Sequence, residues 1–549
     1  MTPVPRSTLT ARMWVIAGLL MLAEFLVFDR MTSRYHASLY PRWNDQIQYL
    51  TEAYTAYDEM HAHGLVAGLK LALGKNAVQG TLHDTAAVVV FWLAGSVSRS
   101  ATLSLNMLVF LAWQAALLFT IPRVSGSRVL AWMGFGLLLC VGHPWSGEAG
   151  SAVDFRLDHG AMCLFGMTSC AALLTEGFRR PGWSLAFGAA VGVTVLERFL
   201  SSVYFAGIFA ALLAWVLCGP ERVRRLGNLG LAAGLAAALI LPVFWINREG
   251  ILNYYWVGHI TGAESAARVR GFDFWQSVQF VFGNLGGLHL RAWFGWTVAA
   301  VSALLLLLFS IHPRKPTGSS PGWLLTGLFF LLVPAAVLTL HRQKSEIVVG
   351  ILVPGVVLVA LWFWQWLLGR IVFRPEGMAP RLMSCLPAVV ALGAGLAHFT
   401  LREVRSPHSP EFLEGARRIN AISDYIFSSA QAAQLEHPNV GIDRIVDFMD
   451  GRMLRVICYE RHRTWIDFAV HLPDSILAGP DDIVLFKLKY CDFFLLTNYM
   501  PDHGYWPYDR QMRQLYPQLK AWCDGNLELI ETFTVFERNM SFYRRKQLP

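Results

Sequence analysis

Uncharged apolar runs of about twenty residues recur along roughly the first 400 positions of this chain, and that is the length an α-helix needs to cross a bilayer. Lipid offers no water to satisfy a backbone, so such runs are committed to helices that bond internally. The composition agrees, with 54% hydrophobic and 15% charged residues. A polytopic α-helical membrane protein is expected. The pattern stops near Leu401, which predicts two domains: 1–401 in the membrane and a soluble domain over 402–549. Residues 13–28 follow Arg6 and Arg12 as in a signal sequence, but no small-residue cleavage site comes after them. They are read as an uncleaved anchor.

Arg and Lys gather on cytoplasmic loops. Arg6/Arg12, Arg123/Arg128, Arg179/Arg180, Arg222/Arg224/Arg225, Arg314/Lys315 and Arg370/Arg374/Arg381 share one face under two conditions. The short apolar run 84–97 must lie on the outer surface or re-enter, and 183–217 must form two helices turned at Glu197-Arg198. The result is about eleven spans, outer loops at 29–100, 143–155 and 247–292, and an extracytoplasmic C-terminal domain on a cell inner membrane. Cytoplasmic loops facing anionic lipid account for much of the net charge of +8, so nucleic acid is not an expected partner. One basic cluster departs from the rule. Clusters 312–315 and 341–344 are separated by a single apolar span, so one of them lies outside. Cations such as Arg342 and Lys344 held at the outer boundary point to a bound anion.

In the first outer loop, Ile47, Leu50, Tyr54, Tyr57 and His61 recur at helical spacing, as in an amphipathic helix lying on the membrane. Asn44-Asp45 with Gln48 has the pattern of a capping box. Asp45 is thus either an N-cap worth about 1 kcal/mol or a catalytic acid. The second loop carries Asp154, Arg156, Asp158 and His159 just ahead of a span. Charges at that depth either pair with one another or serve a function. Glu24 in the first span reads as structural, paired in the bundle or snorkelling. The aromatic runs 253–256 and 272–275 read as interfacial anchors, with lining of a lipid groove as the alternative, and 283–287 lacks the Lys-Ser/Thr end of a phosphate loop.

In the tail, 410–436 reads as a helix, 442–448, 454–459 and 492–497 as strands, and 531–537 with 540–545 as a hairpin around Arg538-Asn539. A small α/β or α+β domain is expected. Its cysteines, Cys458, Cys491 and Cys523, are in a compartment that permits a disulfide.

An outer-loop Asp ahead of a surface helix, a second outer Asp just before a span, and a basic loop before a Pro-containing span together resemble the GT-C membrane glycosyltransferases, in particular the lipid A aminoarabinose transferases and protein O-mannosyltransferases. The family's paired first-loop acids are here Asn44-Asp45-Gln46, its Lys between the fifth and sixth spans is matched by Arg198, and its late basic pattern by Arg342-Gln343-Lys344-Ser345-Glu346 with Pro354 downstream. The resemblance implies transfer of a sugar from a polyprenyl-phosphate donor to an envelope lipid, glycan or protein at the outer face. Departing phosphate needs cations rather than a general acid, for which Arg342, Lys344, Arg198 and Arg291 are candidates. The acceptor must lose a proton to a carboxylate. Asp45 is the candidate base, with Asp158 and Asp154 as alternates. Those three could instead hold a divalent cation, Mg or Mn, because hard metals prefer oxygen ligands. His159, Arg156, Tyr49, His289 and Glu346 are candidate site-lining residues. A transporter or flippase of a lipid-linked anion is the alternative; it predicts internal repeats and midplane charges, neither of which the sequence displays.

Overall fold

The computed structural model describes residues 7–74, 77–262, 265–266, 271–311, 321–371, 378–403, 408–436, 438–443, 451–469, 479–498 and 507–546. The basic cluster 312–315 lies outside these. Eight helices among the described residues are long and apolar enough to cross a membrane: Ala11–Tyr35, Arg99–Ser125, Leu157–Leu174, Arg222–Ile246, Phe274–Ser310, Gly322–Leu340, Ile347–Leu368 and Met383–Leu401. The expected total of about eleven needs three shorter helices as well. These are Arg128–Leu139, Pro181–Glu197 and Ser201–Leu217, of 12, 17 and 17 residues.

Local chemistry sets the ends. Ser98 accepts from the Ala101 amide at 3.2 Å to start Arg99–Ser125, and Gly126, at φ 72°, ends it. The predicted turn at Glu197-Arg198 is present, dividing Pro181–Glu197 from Ser201–Leu217. Residues 82–94 form a 13-residue helix, shorter than a span requires. The long segment from Phe274 is interrupted by a π-turn, Leu285–Leu290, with Arg291 at φ 59°. Glu24 is buried beside Gln114 rather than snorkelling.

The amphipathic helix is Asn44–His63, with Ile47, Leu50 and Tyr54 buried. The capping box expected there is absent. Trp43 is the N-cap and makes no side-chain bond, while Gln48 turns forward to Glu52 at 3.1 Å. A complete capping box occurs at Asp273 and Gln276 instead.

The C-terminal portion is a five-stranded sheet of order β2-β1-β3-β5-β4, built from β1 (Asn439–Ile442), β2 (Asp467–Ala469), β3 (Phe493–Thr497), β4 (Leu527–Val535) and β5 (Arg538–Arg545). β1 is parallel to β2 and β3, and β5 is antiparallel to β3 and β4. Helices Gly451–His462, Asp481–Lys489 and Pro507–Asn526 connect the strands. Three expectations shift. β1 begins at Asn439, and the 444–448 part of the expected strand is outside the described residues. Residues 454–459 are helical: a short apolar run carries little period, and here Met453, Val456 and Ile457 are buried at helical spacing. The hairpin turns at Phe536-Glu537, both at positive φ, two residues before the expected position. Cys458, Cys491 and Cys523 are free thiols in the core.

This domain is fastened to the membrane domain by a buried network. Arg99 pairs with Glu460, whose carboxylate also accepts from Tyr54 Oη at 2.6 Å. Asp58 accepts from Tyr459 and, at 2.8 Å, from Trp465 Nε1. One apolar cluster runs through both partners, joining Leu50 and Tyr54 to Ile419, Leu454 and Phe542. Removing one partner of a buried ion pair strands the other. Arg99→Ala is therefore expected to lower stability by about 3 kcal/mol, read as a lower thermal midpoint in detergent; an unchanged midpoint would show that the pair does not fasten the domains.

Candidate active site

A cavity of about 460 Å³ lies where these parts meet, within the size range of small-molecule sites. Asp45, in the first turn of Asn44–His63, lines it together with Arg156 and Asp158 at the start of Leu157–Leu174, Arg198 at the break between two helices, and Lys344 after Pro321–Leu340. Five of the residues singled out in the sequence thus share one wall system although they are up to about 300 positions apart.

The charges are interlocked. Arg156 reaches Asp45 Oδ2 at 3.3 Å and Asp154 Oδ2 at 3.2 Å. Asp154 is fully buried behind it, accepts from the Gly150 amide at 2.6 Å, and offers its own carbonyl to Asn106 Nδ2 at 2.9 Å. Arg198 pairs with Asp158 at 2.5 Å, and its Nε has no hydrogen-bond partner among the described residues. A guanidinium set this deep needs a carboxylate, and each has one. Asp45 is the solvent-facing member, with its side chain 45% exposed.

The turn at 197–200 is held by the segment before helix Leu82–Ala94. The Thr81 amide donates to Leu196 O at 2.9 Å, and the Phe199 amide to Gln79 O at 2.6 Å. Gly80 makes this approach possible: a Cβ there would meet Glu197 O at 2.0 Å. Gln79 itself lines the cavity and accepts from Tyr49 Oη at 3.0 Å.

Other candidates are placed differently. Lys344 lines the cavity, but its ammonium donates to the carbonyls of Leu338, Thr339 and His341 at 2.9, 2.8 and 2.6 Å. It caps a helix C-terminus, where a cation is favoured by the dipole. Arg342 is exposed and does not line the cavity. Arg291 pairs with Glu148 at 2.8 Å, and buried His289 donates from Nε2 to Glu346 O at 2.8 Å. His159 is buried 3.7 Å from Cys163 Sγ. None of these four residues, nor the Glu346 side chain, belongs to the lining. Asp154 and Tyr49 stand one layer behind it. No group of three or more His, Cys, Asp or Glu side chains among the described residues is arranged to hold a metal ion. Arg156 lies between Asp45 and Asp154, within 3.3 and 3.2 Å of their carboxylates.

The sequence reading missed much of the wall. Tyr254, Tyr255 and His259, on the π-helix Leu252–Thr261, line the cavity along with Tyr204 and His341. Tyr254 and Tyr255 lie within the run taken for interfacial anchors; a π-helix has no signature in composition, although such turns are frequent at functional sites. Pro507 and Arg510 contribute from the C-terminal domain, a contact between distant segments that no local pattern announces.

Burial pushes the Asp154 carboxyl up from 3.8 to about 6, against the pull of Arg156 and the Gly150 amide. A raised acid holds its proton longer folded than unfolded, so its contribution to stability is present below about 3.8 and falls as pH rises to about 6. Asp154→Asn is expected to flatten the stability profile across that window in thermal unfolding scans; an unaltered slope would remove Asp154 as its source.

No known family profile matches the sequence, and no curated protein matches it. Among solved structures, the chain is similar to the crystal structure of ArnT from Cupriavidus metallidurans bound to undecaprenyl phosphate, with a TM-score of 0.58 and 14% identity over 97% of this chain and 98% of that one. At that identity the likeness concerns the fold, and it spans both the membrane helices and the C-terminal sheet. The chain therefore has an ArnT-like fold, the GT-C-like architecture expected from its sequence.

Proposed function

We propose that this protein is an inner-membrane glycosyltransferase that moves a sugar from a polyprenyl-phosphate donor to an envelope lipid, glycan or protein, with the 402–549 domain on the extracytoplasmic side. The observation that carries the reading is the pairing of a solvent-facing carboxylate, Asp45, with arginines in one cavity inside a GT-C fold. The undecaprenyl phosphate held by the ArnT structure supports a lipid phosphate as the donor's leaving part.

In the proposed step the bond between the sugar's anomeric carbon and the phosphate oxygen breaks, and the acceptor hydroxyl or amine forms a new bond to that carbon. The electron pair leaves on the phosphate. Arg198 and Arg156, with the field of Lys344, stabilise that charge. Asp45 takes the acceptor proton, and Arg156 orients it. Arg342 and Arg291 are not assigned to the phosphate, given where their side chains lie.

Asp45→Asn is expected to lower transfer by at least about 100-fold while the protein remains folded in the membrane. The check is mass spectrometry of envelope lipids and glycans from cells carrying each form, and full product from Asp45→Asn would remove Asp45 as the base.

A further inference from the structure

The short helix Leu82–Ala94 carries in its first turn a histidine, His83, that faces two ways. His83 is 2% exposed. Its Nδ1 lies 2.9 Å from Glu197 Oε1, and its ring packs on Phe155 with centroids 4.2 Å apart. Glu197 directly precedes Arg198, and Phe155 directly precedes Arg156. One imidazole thus touches the residues preceding Arg198 and Arg156, two of the three arginines in the cavity wall, while His83 itself is outside the lining.

Glu197 is held tightly enough to transmit that contact. A Cβ on Gly160 would meet its Oε1 at 2.1 Å, and a Cβ on Gly80 its carbonyl oxygen at 2.0 Å. The carboxylate and its backbone are therefore packed against glycines on two elements, leaving His83 as the hydrogen-bonding group on its Oε1. Buried polar side chains confined in this way keep a single orientation as long as their bonds are made. The sequence shows none of these contacts, because Glu197 reads there only as part of the turn that carries Arg198.

Resting on the glycosyltransferase reading of the cavity, we propose that His83 is a positioning residue: through Glu197 and Phe155 it fixes the direction in which Arg198 and Arg156 present their guanidinium groups to the donor phosphate. Removal of the hydrogen bond releases the Glu197 carboxylate while the backbone bonds from Thr81 and Phe199 still hold the turn, and lets Arg198 rotate about its pair with Asp158. The effect falls on anion binding rather than on folding alone, because the ring contact with Phe155 can be kept while the bond is lost.

The test measures binding of undecaprenyl phosphate to the full-length protein in nanodiscs. His83→Phe keeps the ring and removes the bond, and about tenfold weaker binding is expected. His83→Asn, which can still donate to Glu197, is expected to stay within about threefold of the wild type. In an Arg198→Ala background, His83→Phe should add less than about twofold, since residues acting through one another are not additive. Wild-type affinity in His83→Phe, or an undiminished loss on top of Arg198→Ala, overturns the proposal while leaving the cavity reading intact. Unchanged affinity in Arg198→Ala alone removes the anion-binding reading, and the role of His83 with it.

Discussion

Guanidinium groups at a membrane boundary persist only where carboxylates neutralise them, and the rest of this structure is arranged around two such pairings. Arg156 lies between Asp154 and Asp45, and Arg198 is matched to Asp158. Desolvated ions are costly unless their geometry is fixed and their remaining donors are satisfied. Each pair accordingly rests on buried polar supports: Gly150 and Asn106 behind Asp154, and the 79–83 segment behind the turn that carries Arg198. The outcome is a wall of fixed charge with one acid, Asp45, turned toward solvent.

That wall requires contributions from several stretches of chain, and the fold supplies them through interruptions of regular helix. The 197–200 turn, the π-helix Leu252–Thr261 and the loop 341–346 each leave polar side chains or carbonyls where a continuous span would present only apolar surface. Irregular backbone is tolerated at such depth when protein or a water-filled cavity surrounds it. The C-terminal sheet closes the arrangement, fastened through Arg99, Glu460 and Tyr54 and reaching the cavity with Arg510.

Much of this was legible in the sequence because lipid leaves few solutions: long apolar runs dictate helices, and the Glu197-Arg198 break followed from a stretch too long for one crossing. Asp158, Arg156 and Lys344 stood out because ionisable groups near a membrane are costly, and Asp45 and Arg198 through the resemblance to the GT-C pattern. What failed was side-chain direction. Lys344 and Arg342 are two residues apart, yet one turns inward onto helix carbonyls and the other faces out, and no periodicity governs a loop. Asp45 has the sequence context of a cap, but an arginine more than a hundred residues away determines its partner. The short run 454–459 lacked the length to separate strand from helix. His83 gave no signal at all, since its importance lies in what it touches.

On the proposed function, the cavity between Asp45 and Lys344 receives a lipid-linked phosphate. This is tested most directly by a cryo-electron microscopy structure of the protein with undecaprenyl phosphate. Phosphate density is expected within hydrogen-bonding distance of Arg198, on the side of the cavity facing Asp45. Density for the phosphate elsewhere, with the Arg198–Asp158 pair undisturbed and the cavity filled only by solvent, would contradict it.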